Sequence, residues 1–275
     1  MMMTILVTGA TGTVGRHVVN QLVQKGVQVR AVSRSPEKAG LPNGVEVVPG
    51  DLNAPETLRA ACQGMTALYL ILSSDNADAA LQTDHRIIEF AREAGIQRVT
   101  VLMDYEGNPV EQAVLESGME WTLLKPVEFM ANALADWAES IRTEGVVRES
   151  FGHALSARVH EGDIAAVAVE ALMNDGHHGQ SYYITGPEAM SRIEAVRKIS
   201  EAVGKEIRFE ELTEEQARQR WMEQGYEEGD IEFFVQMGKN TPKVGYTVLP
   251  TIEQVTGKRA RTFDEWVDEH KHLFQ

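Results

Sequence analysis

The sequence predicts an α/β fold: a doubly wound parallel sheet with a smaller, mainly helical C-terminal lobe. Three observations carry it. Residues 4–15, Thr-Ile-Leu-Val-Thr-Gly-Ala-Thr-Gly-Thr-Val-Gly, join a short apolar run to three glycines spaced three apart. Through the first half, short apolar runs alternate with stretches of helical periodicity, which implies parallel strands joined by right-handed crossovers. After Pro126 that rhythm stops, and from Ser191 the chain reads as helical and charged. A sheet of this kind, entered through such a loop, is Rossmann-type.

Ile5-Leu6-Val7 is apolar without alternation, as a first strand buried on both faces must be. Gly9, Gly12 and Gly15 follow. Glycine lets the chain turn sharply, lets bare backbone approach a ligand, and lets the next helix pack against the strand. That helix has Val14, Val18, Val19, Leu22 and Val23 on one side. The unpaired N–H groups and positive dipole end at its start suit pyrophosphate, so Gly9, Thr11, Gly12, Thr13, Val14 and Gly15 form the expected dinucleotide loop. Val27-Gln28-Val29-Arg30-Ala31-Val32 closes the β-α-β unit. No Gly-Lys-Ser/Thr ends the loop, which rules against a nucleoside-triphosphate phosphate loop.

Strands three and four are expected at residues 45–48 and 67–72, with a short helix at 55–62 whose first residue, Pro55, needs no N–H donor. A long helix over 78–94 stops at Gly95. Strand five covers 98–103, a helix 109–117, and strand six 121–124. Ligands lie beyond the C-terminal strand ends of such sheets. Here those ends carry Gly9, Arg34, Asp51, Ser73, Asp104 and Lys125. Next come a helix from Glu128 to Thr143, a loop with Gly145 and Gly152, a helix capped by Asp163, and a strand over 181–184. Residues 1–126 with about 158–186 are the expected dinucleotide-binding core. Residues 127–157 with 187–275 are the expected substrate lobe.

Of 275 residues, 26 are basic and 41 acidic, for a net charge of −15 without a basic run. That field repels phosphate backbones and argues against a nucleic-acid partner. No apolar stretch reaches membrane-spanning length, and residues 1–3 lead straight into the first strand, where neither a signal nor a transit peptide fits. The single cysteine, Cys62, excludes an internal disulfide framework and suits a reducing cytoplasm. It reads as buried rather than reactive. A homodimer or a protein partner remains open.

Arg34 stands at the end of strand two, where an acidic residue would bind the ribose hydroxyls of NAD. Its charged fork suits a 2′-phosphate instead. Ser33 and Ser35 add hydroxyls and Lys38 adds charge, so NADPH is expected over NADH. Asp51 suits either an adenine contact or a local turn. Histidines at 160, 177, 178, 270 and 272 invite a metal, but paired cysteines and His-Glu-x-x-His are both absent, so none is expected. A Gly-x-Ser-x-Gly elbow is absent as well. Phe129, Met130, Trp137 and Phe151 suit a pocket wall or ordinary core.

The spacing Gly-x-x-Gly-x-x-Gly resembles the atypical and extended short-chain dehydrogenase/reductases. Asp51-Leu52 follows strand three. Then come Ala91-Arg92-Glu93-Ala94-Gly95-Ile96-Gln97-Arg98-Val99, Trp121-Thr122-Leu123-Leu124-Lys125-Pro126, Asp163-Ile164-Ala165 and Tyr183-Ile184-Thr185-Gly186-Pro187. Their order and separations are similar to the NmrA-like, NAD(P)H-binding group over nearly the whole chain. The resemblance implies that Asp51 and Leu52 border the adenine and that Ser73 lies near the ribose and nicotinamide. It also implies a C-terminal lobe that shapes the substrate pocket. Relatives include quinone and isoflavone reductases, biosynthetic enzymes, and redox sensors linked to transcription.

The expected activity is direct hydride transfer from NADPH to a small carbonyl, quinone or enone substrate. The alternatives are a catalytically silent NAD(P)H sensor acting through a protein partner, and a non-redox or epimerising enzyme. Dehydrogenases of this superfamily use a tyrosine followed four residues on by a lysine. No tyrosine of this chain has one. The candidates left for chemistry are Tyr105 as proton donor, Asp104 as acid or base, and Lys125, which either orients the cofactor or polarises a carbonyl, or else pairs with a carboxylate such as Glu128 or Asp163.

Overall fold

β1 (Thr4–Val7) enters the glycine loop and α1 (Gly15–Gln24) leaves it. The computed structural model describes residues 3–72, 83–103 and 107–275. Along the chain follow β2 (Gln28–Ser33), β3 (Glu46–Pro49), β4 (Ala67–Ile71), α2 (Arg86–Glu93), β5 (Arg98–Leu102), α3 (Pro109–Glu116) and β6 (Glu120–Pro126). Next are α4 (Asn132–Glu144), β7 (Val146–Glu149), β8 (Leu155–Ser156), α5 (Glu161–Met173), β9 (Gln180–Ile184), β10 (Met190–Ser191) and α6 (Arg192–Val203). The chain ends through β11 (Arg208–Glu211), α7 (Glu214–Glu223), α8 (Glu228–Lys239), α9 (Thr251–Thr256) and α10 (Phe263–His270).

The chain divides into two units. The first comprises Met1–Pro126, Glu161–Tyr183 and Gln254–Gly257; the second comprises Val127–His160, Ile184–Glu253 and Lys258–Gln275.

Among the described residues the main sheet has seven strands in the order β3-β2-β1-β4-β5-β6-β9. The pairs β1–β2, β1–β4, β2–β3, β4–β5 and β5–β6 are parallel, with Val7 opposite both Ala31 and Tyr69. Hydrogen bonds from Gly179 N to Trp121 O and from Val127 N to Ile184 O advance along β6 and β9 in the same sense, so β9 is parallel too. Strand order reverses between β1 and β4, which makes the end of β1 the switch point where ligands bind. Leu6, Leu68, Leu70, Val99 and Val101 are fully buried in the core of this unit. α1 buries Val18, Val19 and Leu22, and α5 buries nearly every residue. The Gln21 amide donates to Gly162 O at 2.9 Å, tying α1 to α5.

The second unit has its own core, built on Met130, Trp137, Ile141, Val147, Ile199, Phe263 and Trp266. β7 and β11 pair in parallel, Val146 opposite Arg208, and β8 and β10 pair antiparallel. Capping boxes start α6 (Ser191 with Glu194), α7 (Thr213 with Gln216) and α10 (Thr262 with Glu265).

Several sequence expectations change here. The helix expected over 78–94 is helical from Arg86, and residues 83–85 are not; 78–82 lie outside the described residues. The helix at 55–62 is a single 3-10 turn, Pro55–Leu58. α4 begins at Asn132 rather than Glu128, because Phe129 is held extended by a bridge to Val159. The loop between Gly145 and Gly152 contains β7. Asp163 is not an N-cap: α5 starts at Glu161 and Asp163 lies in its first turn, where a negative charge still favours the helix dipole. Cys62 is buried, and that burial pushes its thiol up to about 11.

Candidate cofactor site

Backbone geometry explains two of the three loop glycines. Gly9 has φ +58°, and a Cβ there would come within 2.3 Å of Ile71 Cδ1. A Cβ on Gly15 would meet the carbonyl oxygen of Gly9 at 2.0 Å, so α1 reaches its closest approach to the loop only with glycine. Gly12 N donates to Gly9 O at 3.0 Å and closes the turn. Thr8 extends the β1–β4 ladder past the strand end: its hydroxyl donates to Tyr69 O and accepts from Ile71 N at 3.0 Å. Sequence reasoning had assigned nothing to this buried threonine. Val14 occupies the N-cap of α1 without a side-chain cap, and no acidic residue sits in the first turn. Thr11 is exposed, Thr13 half-buried and Val14 buried. An uncapped helix start without nearby carboxylates favours an anion.

Arg34 follows β2 and is exposed, as is Lys38 in the 3-10 turn Pro36–Lys38. Neither side chain has a hydrogen-bond or ion-pair partner among the described residues. Ser33 Oγ accepts from Ser35 N at 3.1 Å, which shapes the turn bearing Arg34. Asp51 makes a local turn, its Oδ1 accepting from Asn53 N at 2.9 Å. Leu52 is buried in the core, so its backbone is what it can offer a ligand. Gly9, Arg34, Asp51 and Lys125 all stand at the C-terminal ends of their strands. Ser73, Asp104 and Tyr105 lie outside the described residues.

Lys125, near the end of β6, faces Glu111 across 3.8 Å, a carboxylate other than the two expected. Its Nζ also lies 5.7 Å from the centre of the Tyr183 ring. Glu111 accepts from Gly107 N at 2.6 Å, while Asn108 caps α3 by accepting from Glu111 N at 2.8 Å. The lysine therefore belongs to a polar cluster that fixes the start of α3. Glu111 was not foreseen because nothing local marks it. The first turn of α3 and the end of β6 have to meet before the pair exists.

Three of these histidines, His160, His177 and His178, have structural partners. His160 is buried and accepts at Nδ1 from Arg261 at 3.2 Å, which leaves Nε2 to donate towards Glu269 at 3.4 Å. His178 Nδ1 accepts from Trp121 N at 3.2 Å, and His177 Nδ1 shares a 2.9 Å hydrogen bond with the Tyr182 hydroxyl. Among the described residues no three His, Cys, Asp or Glu side chains are grouped to hold a metal, and no helix is long and apolar enough to cross a membrane. Met130 and Trp137 are core. Phe151, at φ 55°, lies against Gly238, where a Cβ would come within 2.1 Å of its ring.

A family model described as NAD(P)H-binding matches residues 9–108, the stretch that contains the loop, Arg34 and Asp51. The (4-alkanoyl-5-oxo-2,5-dihydrofuran-3-yl)methyl phosphate reductase of Streptomyces griseus is 38% identical over 98% of this chain and 99% of its own. The chain belongs to the NmrA-like family of atypical short-chain dehydrogenase/reductases. A second relative, the NAD(P)H azoreductase of Xenophilus azovorans, is 34% identical over 98% of this chain and 99% of its own. Among solved structures, the NADPH complex of a quinone oxidoreductase from Escherichia coli superposes with a TM-score of 0.80 at 26% identity, covering 98% of this chain and all of that one. This NmrA-like chain thus carries an NAD(P)H-binding region on a Rossmann fold.

Proposed function

We propose that the protein is an NADPH-dependent reductase of a small, fairly apolar carbonyl, quinone or enone compound. The observation that carries this is the cradle at the end of β1. It combines a glycine loop that tolerates no Cβ at Gly9 or Gly15, an uncapped α1, and two cations, Arg34 and Lys38, without partners of their own among the described residues. These residues fit a dinucleotide. The loop amides would hold the pyrophosphate, and Arg34, with Ser33 and Lys38 beside it, would hold a 2′-phosphate. Asp51 and the Leu52 backbone would border the adenine. NADPH, when bound, supplies a hydride. Lys125, held by Glu111, would orient the nicotinamide end, and Tyr105 would deliver the proton, with Asp104 as an alternative acid.

The relatives support the reading, since those described above are named as a dihydrofuranyl-methyl phosphate reductase, an azoreductase and a quinone oxidoreductase. One sequence fact favours a second reading, a cofactor-sensing protein without catalysis: the superfamily's Tyr-x-x-x-Lys pair is absent. Single-turnover oxidation of bound NADPH against a panel of quinones, enones, azo dyes and carbonyl compounds separates the two. Oxidation by at least one class establishes the reductase. Tight NADPH binding without oxidation by any class establishes the sensor.

A further inference from the structure

Arg16, the second residue of α1, joins two loops of the first unit that lie well apart in sequence. Its backbone N–H donates to Gly12 O at 3.1 Å, and its side chain turns back so that Nη2 donates to Thr11 O at 3.1 Å. Nη1 of the same guanidinium donates to Gly40 O at 3.3 Å. Gly40 lies two residues beyond Lys38, in the stretch that leaves β2 through Arg34 and the 3-10 turn Pro36–Lys38. Inside that stretch Lys38 N donates to Ser35 O at 3.0 Å and Ala39 N to Pro36 O at 3.2 Å. Arg16 is exposed, and no carboxylate among the described residues pairs with it.

An exposed arginine gives up side-chain freedom when it holds a single geometry. Here one planar fork spans two backbone carbonyls, a task that suits the fixed donor directions of a guanidinium. One end of the bridge is the loop that would hold the pyrophosphate. The other end is the loop whose cations would hold the 2′-phosphate. A single ligand has to occupy both places, so their separation must match the adenosine ribose that joins the two phosphate groups. A cofactor without the 2′-phosphate makes no such demand. Fixing the two loops beforehand lowers the ordering cost for the first cofactor and not for the second.

We propose that Arg16 is a positioning residue for cofactor choice: it ties the Arg34–Lys38 loop to the glycine loop and so sets the preference for NADPH over NADH. It acts through Arg34 and Lys38, since both of its terminal nitrogens are engaged by carbonyl oxygens. The selectivity role rests on the NADPH reading; the bridge does not.

The test compares the full-length wild type with Arg16→Gln, which removes the fork and keeps a good helix former at an exposed position. Hydrogen exchange is followed first, without cofactor. The Ser35, Lys38 and Ala39 amides exchange at least about threefold faster in the variant. Calorimetric titration then finds NADPH affinity lower by about three- to tenfold and NADH affinity within about twofold of wild type. In an Arg34→Ala/Lys38→Ala protein, adding Arg16→Gln changes NADPH affinity by less than about twofold, because the bridge no longer carries a binding group. Unchanged exchange, or equal losses for the two cofactors, overturns the proposal. A loss of NADPH affinity that persists in full in the Arg34→Ala/Lys38→Ala protein also overturns it, for Arg16 then acts on the ligand directly. Wild-type protein that binds NADH as tightly as NADPH overturns the NADPH reading and the selectivity role with it, while faster exchange in the variant still establishes the bridge. Binding of neither cofactor overturns both.

Discussion

Arg34 follows β2 with its guanidinium exposed and without a partner among the described residues, so its removal falls on the ligand rather than on the fold. Arg34→Ala is expected to weaken NADPH by about ten- to a hundredfold, or roughly 1.5–3 kcal/mol, and to leave NADH nearly unchanged. Calorimetric titration with both cofactors checks it, and equal losses would refute the 2′-phosphate assignment. Gly15 makes the opposite prediction. A methyl group there collides with backbone, the Gly9 carbonyl oxygen at 2.0 Å, and no side-chain rotation relieves it. Gly15→Ala should destabilise the fold by about 1–3 kcal/mol, read as a lower urea midpoint before any cofactor is added. Residue types at strand ends were legible in sequence because each acts through its own chemistry. Arg16 was not. Its bridge exists only once Gly40, 24 positions away along the chain, has folded back beside it.

At the level of elements, α6 offers the cleanest test of local energetics. The Ser191 hydroxyl accepts from Glu194 N at 3.2 Å, and the Glu194 carboxylate accepts from Ser191 N at 2.8 Å. Ser191→Ala should cost about 0.5–2 kcal/mol, visible as a lower thermal midpoint with NADPH affinity retained. A midpoint equal to wild type would show that packing alone holds the helix start. β1 and β4 were the most readable strands of the first half because each is a nearly continuous apolar run at the centre of the sheet, buried on both faces. β7 and β11 escaped notice for the converse reason. Each is four residues long, and β11 is Arg-Phe-Glu-Glu. What makes such a segment a strand is its partner rather than its composition. α4 starts later than expected because Phe129 bridges to Val159 and Met130 N donates to Val159 O, and a turn over 130–131 precedes the helix.

For the whole molecule, Asp136 of α4 sets a pH dependence of stability. Surrounding protein groups desolvate its carboxyl, and Glu149 and then Glu128 repel its charge. The folded chain keeps this proton up to about pH 7, while an ordinary aspartate releases it near 3.8. Between those values the folded state binds more protons than the unfolded one, so stability falls as pH rises through the window and is level beyond it. Solvent access makes the effect smaller than the shift alone suggests. Asp136→Asn should therefore raise the melting temperature at pH 8 and change it little at pH 4. Scanning calorimetry at the two pH values would show it, and an equal change at both would contradict the linkage.

The two units interleave along the chain: the first is left at Pro126, resumed at Glu161, left again at Tyr183 and touched once more at Gln254–Gly257. During synthesis from the N-terminus, six strands of the main sheet emerge with β6 as an open edge. The strand that covers that edge, Gln180–Ile184, arrives more than fifty residues later. An uncovered edge invites pairing with another chain. The nascent protein thus passes through an interval of exposure that ends only when β9 leaves the ribosome, and any truncation before residue 180 makes that interval permanent.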